Sequence, residues 1–325
     1  MWKLSFLGIS FFEIFYYFFI FSFFGWIYES LFVSIREKRW TNRGFLNGPI
    51  IPIYGAGATL LYIAFFNDRT VSLTEYANVR NITIIFLSGM ILASILEYVT
   101  SYAMEKMFHA KWWDYSDYPL NIQGRISLRS SVFWGFLSVI MAEFIAPNVS
   151  KYIIDKIPLR IGQYAGYVIF VVFLGDFSVT VWSTLKLDQK LTSMAKLREE
   201  LYEYVQGSRI YDLQEELRYK LNKSKAAEYL EVLRENVDRG YEALQAKYKK
   251  ENNEQGMQEK KVLRLELERR MKEFTARYKE QKTEGLHELI HKRILRAFPN
   301  MKAVNREGVL KDYREKLRRK NKHWE

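Results

Sequence analysis

Residues 11–36 read FFEIFYYFFIFSFFGWIYESLFVSIR. The apolar run from Phe11 to Ile35 exceeds the roughly 20 residues with which a helix crosses a hydrocarbon core of about 30 Å. It carries no small-residue cleavage site and closes on Arg36, so it is expected to persist as a helix and not to act as a leader. Four further runs of similar character follow at 49–66, 82–104, 130–146 and 161–185. The fourth is short and contains Glu143. The second opens GPIIPIYGAG, where Pro49 and Pro52 deny the backbone donors of a first helical turn, so its start is expected to be distorted or partly unwound.

The whole-chain averages, 49% hydrophobic and 26% charged over 325 residues, conceal two unlike halves. Residues 1–185 carry 14 Lys+Arg and 12 Asp+Glu, whereas residues 186–325 carry 35 and 25, most of the net +12. This contrast predicts an all-α integral membrane protein: a polytopic domain of about five transmembrane helices (1–185) followed by a basic, cytoplasmic helical or coiled-coil tail (186–325). The chain has no cysteine, which excludes disulfides and thiolate metal sites.

Orientation follows from the short loops, because Lys and Arg collect on the cytoplasmic side. One side has Arg36, Lys38, Arg39, Arg43, Lys106, Lys111, Arg125 and Arg129; the other has Lys3, Arg69, Arg80, Lys151, Lys156 and Arg160. With an odd number of spans the basic tail joins the richer side. The expected arrangement is a multi-pass protein of a bacterial inner membrane, N-terminus outside and tail in the cytoplasm.

That orientation gathers Glu29, Glu97 and Asp176 near one depth, beside the proline-broken start of the second span. A carboxylate facing lipid costs roughly 2.5 to 3.5 kcal/mol at mid-bilayer, so the three are expected to face a shared polar pocket. Helical spacing puts Ser22 and Gly25 on the face of Glu29, and Ser94 and Ser101 on that of Glu97; these small residues read as helix-packing contacts. Arg43, in a loop of turn-forming residues, offers a planar fork to a carboxylate or phosphate. The loop from Glu105 to Ile126 is longer than a connector needs and rich in aromatic rings, with Trp112, Trp113, Tyr115 and Tyr118 suited to the headgroup layer. Asp114 suits a turn, and Arg125 is placed to pair with Glu97, Glu29 or an anionic ligand. Glu29, Arg43, Glu97, Trp113, Asp114, Arg125 and Asp176 are therefore the candidate ligand-binding residues, under an interfacial lid.

Three stretches, FFGWIYES (23–30), NRGFLNGPIIPIYGAG (42–57) and LEYVTSYAMEKMFHAKWWDYSDYPLNIQGRISLRSSVFWG (96–135), resemble in order the motifs of the bacterial ABC-transporter permease family called CmpB, or type IV. The resemblance covers roughly residues 11–185 and implies a helical membrane subunit associated with transport. The chain has no GxxxxGK[ST] phosphate loop, so ATP-driven transport would need a separate ATPase. Five spans alone would also call for a dimer or a second membrane subunit.

In the tail, apolar residues step by three and four at 187, 191, 194, 197, 201 and 205, at 226, 230, 233, 237, 241, 244 and 248, and at 267, 271, 274 and 278. This is the spacing of a coiled coil or a helical hairpin, expected to serve self-association or partner helices. Gly207, the ENNEQG run at 251–256 and Pro299 mark expected breaks. HELIH at 287–291 matches HExxH, in which His287 and His291 would bind zinc, Glu288 activate water and Glu307 complete the ligands of a membrane-tethered hydrolase. Charged helices without a strand set offer no walled cleft, so no metal, cofactor or enzymatic activity is expected. The basic stretch 291–325 suits anionic lipid better than nucleic acid, since no recognition module accompanies it.

Overall fold

The computed structural model describes residues 2, 4–6, 8–65, 82–207, 224–250, 254–280 and 285–319. Outside the described residues lie Lys3, Arg69 and Arg80 of the orientation argument, the end of the second run at Phe66, residues 251–253 of the ENNEQG run and the basic terminus 320–325. The chain clusters into two compact units, Met1–Ser183 with Arg293–Met301, and Thr184–Lys292 with Lys302–Glu325.

In the first unit, helix α1 (Phe11–Glu37) starts at a capping box: Ser10 Oγ accepts from the Glu13 N–H at 3.2 Å while the Glu13 carboxylate accepts the Ser10 N–H at 2.8 Å. It ends at Lys38, which takes the left-handed conformation of a helix C-terminus. Its 27 residues extend about 40 Å, enough to cross a bilayer core. Helix α2 (Pro52–Phe65) has 14 residues and reaches only about 21 Å. Residues up to Ile51 stay irregular, in keeping with the two prolines.

Helix α3 spans Ile82–Phe108 and helix α4 Leu128–Ile140, the latter begun by a reciprocal Ser127–Ser130 cap. A π-helical turn at Met141–Ile145 then leads into α5 (Ala146–Tyr152), so one apolar helical segment runs from Leu128 to Lys156. The π turn lies just before Pro147, which has no N–H to continue the α-helical ladder. Helix α6 (Leu159–Gly207) is continuous over 49 residues. Four helical segments among the described residues are thus long and apolar enough to cross a membrane; of the five runs read from sequence, the second forms a shorter apolar helix.

Outward-facing chemistry agrees with a lipid environment. Ile84, Leu87, Ile91 and Ile95 form an exposed row on α3, and Ile161, Val168, Val171 and Val172 do so on α6. A helix in water would carry charge at such positions. Inside, Tyr17 donates to the Ala146 carbonyl at 2.9 Å and Tyr16 to the Gly162 carbonyl at 2.7 Å, fastening α1 to α5 and α6 through buried hydroxyls. The serines of α3 and α4 face each other, Ser94 Oγ donating to Ser131 Oγ at 2.7 Å.

The second unit contains the rest of α6, then α7 (Ala226–Lys250), α8 (Glu254–Glu280), most of α9 (Leu286–Ala297) and α10 (Glu307–Arg319). The row Leu187, Leu191, Met194, Leu197, Leu201 and Val205 is buried, as are Leu267, Met271, Phe274 and Tyr278. Rings of α7 and α8 stack, Tyr229 on Phe274 at 6.1 Å. Buried Arg198 donates to the Ser224 carbonyl at 2.9 Å and pairs with Asp312, which also accepts from Tyr278 at 2.7 Å. These bonds compensate the desolvation of an ionised group inside a helical bundle.

Candidate functional site

The first unit joins the two glutamates of α1 and α3 through aromatic donors of other elements. Tyr54, from the first turn of α2, donates to Glu29 Oε1 at 2.7 Å, and Arg43 Nε lies 3.7 Å from Glu29 Oε2. The Tyr54 ring meets Trp134 of α4 edge-on at 5.5 Å. Trp134 Nε1 in turn donates to Glu97 Oε2 at 3.2 Å, and the Tyr115 hydroxyl donates to Glu97 Oε1 at 3.0 Å. Glu97 is only 5% exposed. The route from Arg43 to Tyr115 therefore draws on α1, α2, α3, α4 and both flanking loops. Burial pushes the Tyr115 hydroxyl above its ordinary pKa, with Glu97 adding to the shift; burial lowers the Arg43 guanidinium, against the pull of Glu29.

Beside this route lies a cavity of about 390 Å³, walled by apolar side chains including Phe21, Phe24, Leu61, Leu92, Leu96 and Leu137, with Tyr54, Glu97 and Trp134 among its lining. The sequence led us to expect a polar pocket; the cavity is apolar with a carboxylate in its wall, because α1, α2, α3 and α4 turn aliphatic and aromatic side chains inward beside their few polar ones.

Arg125 pairs elsewhere than expected. Its guanidinium meets Ser101 Oγ at 3.3 Å and Glu105 at 2.9 Å, about one and two turns of α3 beyond Glu97. Trp113 Nε1 donates to the Arg125 carbonyl at 3.0 Å, and Asp114 Oδ1 accepts the Ser116 N–H at 3.1 Å, an Asx turn. These residues shape the loop that brings Tyr115 to Glu97. A short antiparallel hairpin, Asn121–Ile122 against Ile126–Ser127, closes it, and the Tyr115 N–H donates to the Gly124 carbonyl at 2.8 Å. Gly124 sits at φ +69°, and a Cβ there would lie 2.4 Å from Asp114 Oδ1. Gly124→Ala is accordingly expected to cost about 1 to 3 kcal/mol and to speed amide exchange at Tyr115 at least about tenfold, measured by hydrogen–deuterium exchange. Unchanged exchange would contradict the assigned strain.

Asp176 is not brought to the other carboxylates. Its Oδ1 accepts from Asn47 Nδ2 at 2.8 Å and its Oδ2 from the Gly48 N–H at 2.7 Å, so it anchors the chain leading into α2. Arg293 holds the same loop: it donates to Asn47 Oδ1 at 2.9 Å, to the Gly44 carbonyl at 2.8 Å and to the Phe45 carbonyl. Burial pushes its guanidinium down to about 10, opposed by Asp176. Arg43 donates to the Ala297 carbonyl and lies over the Phe298 ring, 4.2 Å from its centroid. Phe298 meets Trp112 edge-on at 4.8 Å.

Residues 16–181, just over half of the chain, match the family described as "Putative ABC-transporter type IV" (ABC_trans_CmpB). The chain belongs to this family. No curated protein and no solved structure matches it. The matched region of this CmpB-family protein contains Glu29, Arg43, Tyr54, Glu97, Tyr115, Trp134 and Asp176, whereas Arg293 and Phe298 lie beyond it. Sequence reading missed Tyr54 and Asn47 as partners of the carboxylates, although both stand in the quoted 42–57 motif. It assigned Arg293 to a basic tail, where nothing in a charge count distinguishes it from its neighbours.

HELIH lies outside the family region and its groups have separate neighbours. His291 is fully buried with Nδ1 2.9 Å from the Tyr313 hydroxyl, Glu288 pairs with Lys292 at 2.8 Å, and Glu307 with Lys311 at 3.0 Å. Among the described residues no three His, Asp or Glu side chains are grouped to hold a metal ion. On this helix His291 packs inward and Glu288 pairs with Lys292 one turn on.

Proposed function

We propose that this protein is the membrane subunit of a transport assembly, with a ligand site at Glu29 and Glu97 near the cytoplasmic face and a separate ATPase as its partner. Family membership supports the transport class. The observation that carries the site is the cavity lined by α1 to α4 with buried Glu97 in its wall, joined through Trp134 and Tyr54 to Glu29 and Arg43. Intramembrane carboxylates held among hydrogen-bond donors mark ligand or ion sites more often than they serve packing. In this reading Glu97 contacts the ligand from the cavity wall, Glu29 acts through its bond to Tyr54, Arg43 balances Glu29, and Tyr115 brings the 105–126 loop over the site. Asp176, Arg125, Trp113 and Asp114 are positioning residues. The chain sits in a bacterial inner membrane with α2 completing a fifth, partial crossing, the N-terminus outside and the tail in the cytoplasm. There the tail docks the ATPase or a second copy of the chain.

Purification of the tagged protein from its native membrane in mild detergent is expected to recover a stoichiometric ATPase. In reconstituted vesicles, Glu97→Gln is expected to lower ATP hydrolysis by that complex at least about tenfold, the equivalent of ~1.4 kcal/mol, with assembly intact; Glu29→Gln acts in the same direction. If both variants insert, assemble and hydrolyse ATP as the wild type does, the site is wrong. If deletion of the tail abolishes function while both carboxylate variants are tolerated, a scaffold role replaces it.

A further inference from the structure

The cavity also constrains the chemical class of its occupant, and this inference rests on the ligand-site reading above. Three features coincide in one wall. Glu97 is buried at 5% exposure, and its two oxygens receive hydrogen bonds from the neutral donors Tyr115 and Trp134. No Lys or Arg among the described residues pairs with it: Arg125 is engaged by Glu105, and Arg43 by Glu29. Aromatic rings line the same space: Trp134, which is hydrogen-bonded to the carboxylate, with Tyr54 and Tyr28. The remaining surface is almost wholly aliphatic or phenyl.

Each feature selects against a different ligand. A hydrophilic anion would meet a carboxylate with no cation beside it. A small inorganic cation would lose its hydration shell to a cavity offering one carboxylate and few further oxygens. A neutral acyl chain would fill the apolar volume but leave the buried carboxylate without a counter-charge. An organic cation with an apolar body satisfies all three. Its charge faces Glu97, and its body occupies the aliphatic and aromatic remainder. The cavity volume of about 390 Å³ falls within the range of pockets that hold molecules of that size.

We propose that the α1–α4 cavity binds a lipophilic organic cation, with Glu97 as its counter-ion.

The test uses the full-length protein in nanodiscs of phosphatidylcholine, a lipid of no net charge, with protein-free nanodiscs to subtract partitioning of the probe into lipid. Radiolabelled tetraphenylphosphonium is the probe, and tetraphenylborate, of the same shape and opposite charge, is the control. Saturable binding of one phosphonium per chain is expected above that of protein-free nanodiscs, with no saturable binding of tetraphenylborate measured in separate samples. Glu97→Gln should weaken it at least about tenfold. Ala93→Phe, which fills the cavity and leaves the carboxylate in place, should weaken it comparably, while Glu97→Asp should retain most of the affinity. Equal binding of the two ions, unchanged affinity in both Glu97→Gln and Ala93→Phe, or a copurifying lipid that the phosphonium does not displace would each overturn the proposal. The two readings fail separately. If Glu97→Gln abolishes ATPase coupling while phosphonium does not bind, the ligand class is wrong and the transport reading stands. If phosphonium binds as described and Glu97→Gln hydrolyses ATP normally, the site stands and the transport reading falls.

Discussion

Gly55→Val is expected to abolish the folded protein, or to lower its stability by more than about 3 kcal/mol, because α1 and α2 touch where Gly55 has no side chain. A Cβ at Gly55 would lie 2.1 Å from Ser22 Oγ and 2.2 Å from the Phe18 carbonyl oxygen. The serine can rotate away; the backbone oxygen, fixed inside α1, cannot. Relief requires separation of two helices that already share the Ile51 N–H to Ser22 carbonyl bond of 3.0 Å. Gly175→Ala provides the control, since nothing lies within 4 Å of a Cβ there, and a neutral to slightly stabilising effect is expected. Retention of a monodisperse peak after graded heating in detergent measures both. If Gly55→Val and Gly175→Ala melt together, the close approach of α1 and α2 is wrong. Gly25→Ala should act in the same direction: its Cβ would lie 2.3 Å from Tyr54 Cγ and 2.5 Å from Tyr54 Cβ, and the latter is fixed to the α2 backbone and cannot rotate away. The expected consequence is a loss of stability, accompanied by loss of the Tyr54 hydrogen bond to Glu29.

These positions show what was legible in the sequence. Ser22, Gly25 and Glu29 share a face of α1 by spacing alone, and the structure puts that face against α2. The apolar runs gave α1, α3 and the start of α6 closely, because length and composition report directly on helices in lipid. The reach of α2 was less legible: proline removes the first turn, but how many residues stay irregular depends on Asp176 and Arg293, which are 124 residues or more away from Pro52. Arg125 was misassigned for a related reason. Whether it meets Glu97 or Glu105 is decided by the hairpin at 121–127, whose positive-φ residues Gln123 and Gly124 set the direction of the chain. Charge and spacing identify potential partners; a loop's turns decide which are reached. HELIH illustrates the converse, five residues that satisfy a pattern while Tyr313 and Lys292 claim its side chains.

Arg293→Ala is expected to loosen the loop before α2 and, through it, the Glu29 end of the site. The substitution leaves the Gly44 and Phe45 carbonyls and the Asn47 side-chain oxygen without their donor, in half-buried surroundings. Hydrogen bonds from a charged group contribute about 1.5 to 3 kcal/mol, and losses sharing one guanidinium do not add, so about 3 kcal/mol is the expected cost. That corresponds to roughly hundredfold faster exchange of the Asn47 and Gly48 amides, which Asp176 holds, if they exchange through local opening. Arg293→Lys keeps the charge but lacks the planar fork, and should recover only part of the protection. The effect should reach the proposed ligand site because Arg43 adjoins this loop and is itself fixed at three points: Glu29, the Ala297 carbonyl and the face of Phe298. Once residues 293–301 lose their anchor, two of those three contacts loosen and only the 3.7 Å ion pair with Glu29 remains to hold the guanidinium. Unchanged exchange at Asn47 and Gly48 in Arg293→Ala would show that Asp176 alone secures the loop, and would remove the physical link by which a segment outside the family region acts on residues within it.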